Sequence, residues 1–117
     1  MSLARGSVVL VDLEPTRGHE QRGTRPCIVV SDPAVAASLR FPLVCVVPVT
    51  GTATKGILYP RLAAGTGGLK KESFVLVEQI RSIDKRRVVR VYGTIGGAAL
   101  EAVDQGLALY LGLTLEP

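Results

Sequence analysis

SVVLVDLEPTRGHEQRGTRPCIVV, Ser7 to Val30, is the stretch on which the reading of this chain turns. Its two ends are β-branched and aliphatic. In SVVLVDL, Val9, Val11 and Leu13 fall on one face by period two, which predicts a strand, and Glu14-Pro15 ends it. CIVV, Cys27 to Val30, is a short continuous apolar run, as expected of a strand buried on both faces. Between them lies a connection of about a dozen residues, longer than compact β domains use without a functional reason. It gathers the chain's only histidine, His19, with Glu20, Gln21, Arg22 and Arg25, and is closed by Pro26. Histidine changes charge near neutrality, and guanidinium groups suit phosphate. Arg25 directly precedes a proline, which biases its backbone toward extended geometry at the mouth of the second strand. The plain alternative is a solvated turn with an internal Arg/Glu pair, a weak interaction at a surface.

Further along, Leu43–Val49 (LVCVVPV) predicts a third strand, in which Pro48 marks an edge, a bulge or an end. Asp32–Arg40 reads as a connection with some helical content, Ile57–Leu62 as a fourth strand, and Ser73–Ile83 and Val88–Ile95 as two more joined by the charged turn DKRR. From Gly97 the apolar spacing becomes three and four, with Leu100, Val103, Leu107 and Tyr110 on one face of a helix reaching about Leu111. Five or six short strands and a terminal helix predict a mainly β (α+β) fold: a strongly bent antiparallel sheet or barrel capped by that helix. At 117 residues, without repeats or a linker, residues 1–117 are expected to form a single domain.

Composition excludes several classes of function. Apolar residues make up 47% and charged residues 21%, so the chain is expected to fold. It has no apolar run long enough for a membrane span and no signal-peptide core, which predicts a cytoplasmic protein. Cys27 and Cys45 sit in apolar runs and read as buried thiols, and one histidine with two separated cysteines predicts no metal site. A net charge of +4 favours a polyanionic partner. Two further positions carry candidate chemistry. Thr50, at the end of the third strand, is able to bond a phosphate oxygen or its own backbone. Strand alternation sets Glu78 on an apolar face with Leu76 and Ile80, and Gln79 and Arg81 on the opposite face; a carboxylate so placed needs a cationic partner or a shifted ionisation. Its plain alternative is a buried Glu/Arg pair. The glycines of Gly65–Gly68 lack the ending of a phosphate loop.

Three separated segments together resemble one family, the MazF/PemK/Kid toxins of bacterial toxin-antitoxin systems. RGSVVLVDLEPTRGHEQRGTRP is similar to their N-terminal signature, VVPVT to the end of their third strand, and ESFVLVEQIRSIDKRR to their later acidic-Gln-x-Arg element; GTIG and the helix ending LGL complete the match. The resemblance implies a small SH3-like antiparallel β-barrel with short helices, a homodimer, and metal-independent endoribonuclease activity on single-stranded RNA that needs no cofactor. It implies inhibition by a cognate, MazE-like antitoxin through a disordered acidic C-terminal segment. In such enzymes the RNA 2′-OH attacks the adjacent phosphorus, so the protein handles protons and charge and supplies no nucleophile. Carried over by motif, Arg25 stabilises the phosphorane or acts as acid, Thr50 bonds a phosphate oxygen, and His19 and Glu78 share the acid/base role, which stays open between them. Glu20, Gln21, Arg22, Gln79 and Arg81 are expected to bind RNA, with Glu20, Gln21, Gln79 and Arg81 orienting either the RNA or the catalytic side chains. The sequence departs from Kid at Leu76, which stands where Kid has an arginine. A second class of function, a non-catalytic CcdB-like toxin that binds a protein target such as gyrase, is the alternative.

Overall fold

A computed structural model describes residues 2–113. Seven strands are present, β1 (Ser7–Asp12), β2 (Thr24–Val29), β3 (Leu43–Thr50), β4 (Arg61–Leu62), β5 (Ser73–Val75), β6 (Arg81–Asp84) and β7 (Val88–Thr94), with helices α1 (Pro33–Ala37) and α2 (Gly97–Leu111). Single 3₁₀ turns occupy Thr66–Gly68, Val77–Gln79 and Lys85–Arg87. Every pairing is antiparallel, in the order β4-β5-β3-β2-β1-β7, and β6 pairs with β3 beyond the end of β5. The expected bent antiparallel sheet with a terminal helix is what the chain forms.

β1 to β3 are apolar on both faces because the curled sheet is covered on both. On one side Val8, Ile28, Val47 and Val75 meet Val103 and Leu107 of α2. On the other, Val9, Val11, Leu13, Cys27, Val46 and Ile83 form a second core with Ala36 of α1. The curl is tight at glycine: a Cβ on Gly67, whose φ is +59°, would lie 2.5 Å from Val8 Cγ2, and one on Gly93 would lie 2.8 Å from the Gly67 carbonyl oxygen. The Gly65–Gly68 segment is therefore a packing device that lays the 3₁₀ turn after β4 across β7.

α1 starts at Asp32, whose carboxylate accepts from Ala34 N at 2.9 Å, with Pro33 in the first turn. α2 enters from Gly96 with no side-chain cap and stops at Gly112, in left-handed geometry, where Leu113 N returns to the Ala108 carbonyl. Its flank is tied to the start of the sheet by the paired Arg5 guanidinium and Asp104 carboxylate. Val103 and Leu107 are buried as the helical spacing predicts, but Tyr110 is exposed, since the helix runs past the sheet at that point.

Two strands differ from expectation. Ile57–Leu62 contributes only Arg61 and Leu62 to the sheet, because the chain turns at Gly56, whose carbonyl accepts from Tyr59 N. Ser73–Ile83 is two strands broken by the turn Val77–Gln79. Both lie along β3: β5 pairs with Val49–Thr50, β6 with Leu43–Val46. The break falls beside Pro48, which has no N–H to donate there and whose carbonyl accepts from Leu76 N at 2.8 Å. Pro48 thus marks neither an edge nor the end of β3, which is central; it marks the bend in its neighbour.

Candidate active site

The break at Pro48 changes the chemistry of the segment it interrupts. A continuous strand would hold Glu78 on an apolar face. The 3₁₀ turn instead lifts it to the surface, where Glu78 Oε1 accepts from Tyr59 Oη at 2.5 Å. No ion pair joins Glu78 to Arg81 among the described residues. Both the apolar-face reading and the buried Glu/Arg reading are therefore corrected. Arg81 turns its guanidinium to the chain at the end of β1, donating from Nη1 to the Leu13 carbonyl at 3.1 Å.

The opening connection folds over this turn. Gln79 Oε1 accepts from Gln21 N at 2.7 Å, and Gln79 Nε2 donates to the His19 carbonyl at 3.3 Å. Glu20 is engaged locally: its carboxylate accepts from Arg17 N at 2.8 Å, while Glu20 N donates to the Arg17 carbonyl. That turn is the internal pairing foreseen for a solvated loop, except that the carboxylate meets a backbone N–H and not a guanidinium. The neck is closed by Gly23 N donating to Glu14 Oε1 at 2.9 Å, and by Arg87, which donates to the Asp12 and Glu14 carbonyls.

Loop and turn together wall an open cleft of about 640 Å³, floored by Leu13, Pro48 and Ile80 and lined by His19, Glu20, Gln21, Glu78, Gln79 and Arg81. Six of the nine residues singled out in the sequence meet there. Arg22, Arg25 and Thr50 are not in its lining. Arg25 is exposed in β2 opposite Val11, with its Nε donating to the Arg22 carbonyl at 2.9 Å. Thr50 Oγ1 accepts from Thr52 N, the local backbone use of a hydroxyl. Register nonetheless relates the two. The β2–β3 ladder ends at Cys27 opposite Pro48, and Arg25 and Thr50 each lie two residues beyond that pair. They continue the two strands past the Cys27–Pro48 pair, of which Pro48 belongs to the cleft floor.

Tyr59 and Arg87 are the contributors that sequence reading missed. Tyr59 stands in a stretch read as a strand, where alternation gives no hint of a bond to a carboxylate 19 residues on. Its phenol is raised above the usual tyrosine value, chiefly by the hydrogen bond to Glu78. Arg87 belonged to a charged turn whose partners are set only by the β7–β1 pairing. Burial pushes the Cys27 thiol up to about 12, against a small opposing pull from Arg81, and also raises Cys45. Neither cysteine is a nucleophile for this site. Among the described residues, no three His, Cys, Asp or Glu side chains converge as metal ligands, and no helix is long and apolar enough to cross a membrane.

Comparison with known proteins places this arrangement. The family model of the PemK-like, MazF-like toxin of type II toxin-antitoxin systems matches residues 4–111. Endoribonuclease MazF9 of Mycobacterium tuberculosis is 39% identical over 117 residues, covering 95% of this chain and 98% of that protein. Among solved structures, MazF from Deinococcus radiodurans superposes with a TM-score of 0.82 at 29% identity, over 97% of this chain and 99% of the other. An endoribonuclease in complex with its cognate antitoxin, from a mycobacterial species, shares the fold, with a TM-score of 0.80 at 22% identity over 98% and 100% of the two chains. With a family match spanning nearly its whole length, this chain belongs to the PemK-like, MazF-like toxins of type II toxin-antitoxin systems.

Proposed function

We propose that this toxin is an endoribonuclease that cuts single-stranded RNA without a metal ion, by attack of the 2′-OH on the adjacent phosphorus to leave a 2′,3′-cyclic phosphate and a 5′-OH. Residues 1–117 act as one toxin domain, in the cytoplasm, on messenger RNA and at a preferred short sequence. The observation that carries this reading is the meeting of the His19 loop with the Glu78 turn in one open cleft, with Arg25 and Thr50 two residues beyond the strand pair that brings Pro48 to its floor. RNA supplies its own nucleophile, so the site needs a proton acceptor, a proton donor and fixed charge against the phosphate.

Each need has a residue. His19 and Glu78 face one cleft and share the proton transfers. The Arg25 guanidinium meets the phosphate's developing charge, and the Thr50 hydroxyl turns from its backbone partner to a phosphate oxygen. The exposed Arg22 extends the cationic rim along the RNA backbone, while Glu20, Gln21, Gln79 and Arg81 line the floor and wall beneath it. The basic chain suits RNA and an acidic antitoxin segment alike. The homologous fold solved with its cognate antitoxin supports inhibition by such a partner, and the exposed Leu109, Leu111 and Leu113 suit a homodimer.

Incubation of the purified protein with a long single-stranded RNA in EDTA tests the reading. Discrete fragments bearing 5′-OH ends are expected, and Arg25→Ala should lower the rate by about 100-fold or more, the usual cost of removing a charge-stabilising donor. Intact RNA in that assay, together with arrest of a topoisomerase, would replace the ribonuclease with a protein-binding toxin.

A further inference from the structure

Residues 15–21 carry His19 but have few ties to the rest of the fold. The turn between Arg17 and Glu20 is internal to the loop. Arg81 and Arg87 hold the chain only at Asp12, Leu13 and Glu14, before the loop begins. Among the described residues, the one group outside the loop that hydrogen-bonds to residues 15–21 is the carboxamide of Gln79, 58 residues away from Gln21 in the chain.

The match is specific. Gln79 accepts from Gln21 N with Oε1 and donates to the His19 carbonyl with Nε2, so one side-chain amide pairs with the two backbone groups that flank Glu20. One residue of a parallel neighbouring strand makes the same two bonds with its own N–H and C=O. Gln79 sits in the turn that carries Glu78, so its clamp sets His19 in register with that carboxylate. Each end of the amide makes one bond to the loop, and these two bonds are what hold the loop on the turn.

We propose that Gln79 is a positioning residue that fixes the His19-bearing loop on the Glu78 turn, and that its effect on the reaction passes through His19. This rests on the ribonuclease reading. Glutamine is the residue the position requires: glutamate keeps the acceptor for Gln21 N but opposes the His19 carbonyl, and alanine keeps neither.

The test combines kinetics with amide exchange. Gln79→Ala should lower kcat by about tenfold or more, as loss of positioning does, with KM within about twofold. Gln79→Glu, which keeps one of the two bonds, should fall between. In a His19→Ala background Gln79→Ala should cost little more, because its effect passes through His19. By NMR, the Gln21 amide should exchange faster in Gln79→Ala and stay protected in Gln79→Glu.

A raised KM with unchanged kcat would make Gln79 an RNA contact and overturn the proposal. So would equal costs of Gln79→Ala in the wild-type and His19→Ala backgrounds, or an unchanged Gln21 exchange rate. If the wild-type protein leaves RNA intact while Gln79→Ala still releases the Gln21 amide, it is the ribonuclease reading that fails, and the clamp stands without a catalytic role.

Discussion

Tyr59 donates a hydrogen bond to Glu78, Oη to Oε1 at 2.5 Å, and so joins the chain after β3 to the turn that walls the cleft. The bond favours the neutral phenol beside a carboxylate, which is why Tyr59 ionises above its ordinary value of 10.0. Titration of Tyr59 by NMR should show it ionising above 10. Glu78→Gln, which removes the carboxylate charge and weakens the acceptor, should bring it back toward 10. A raised folded-state value means a contribution to stability that is complete below pH 10 and lost as pH climbs through the folded value. Unchanged titration in Glu78→Gln would show that the contact does not persist in solution.

Gly106 gives the packing of α2 a sharp test. A Cβ there would lie 2.9 Å from the Ile57 carbonyl oxygen and 3.1 Å from Val77 Cγ2. Alanine improves helix propensity by about 1 kcal/mol, but pressing on backbone and a packed valine costs about 1–3 kcal/mol. Repulsion should win, and Gly106→Ala should lower Tm by several degrees in a thermal melt. Val77 opens the turn that carries Glu78 and Gln79, so the same substitution should also reduce RNA cleavage. A raised Tm would mean that the helix stands off from this turn.

The cysteines should report on burial. Cys27 is fully buried and held up to about 12, and Cys45, partly buried, is raised from 9.0 by the same desolvation. With a thiol reagent at pH 8, Cys27 should stay unmodified until the protein is unfolded, and Cys45 should react more slowly than a free thiol. Because both folded values are raised, their contribution to stability is present below pH 9 and fades as pH rises toward 12. Rapid labelling of Cys27 in the native protein would contradict the described core.

Much of the fold was legible in the chain because short-range pattern and burial agree. The apolar run Ser7–Leu13 became β1, Cys27–Val30 supplied the inner part of β2 as far as Val29, and the three-and-four spacing after Gly97 became α2. Reading failed at Ser73–Ile83, where alternation treats each residue as if its neighbour across the sheet were intact. Pro48 withholds an N–H from that neighbour, and this decision is made 30 residues away from Glu78. Six of the residues that line the cleft were singled out in the sequence, but their geometry was not legible there. The family signature pointed to His19, Glu78 and Gln79, whereas the contacts of Tyr59 and Arg87 follow from which strands lie side by side.

The sequence by itself determined the kind of sheet, the capping helix, the buried thiol of Cys27 and the family, since each depends on composition, period or a motif within one segment; Cys45, read as buried too, is only partly so. Only the tertiary structure decided that Glu78 leaves the apolar face, that Arg25 and Thr50 are not in the cleft lining, and that a single glutamine ties down the histidine loop. The reason is physical: hydrogen bonds and register between segments far apart in the chain select one arrangement from several that every local pattern permits equally.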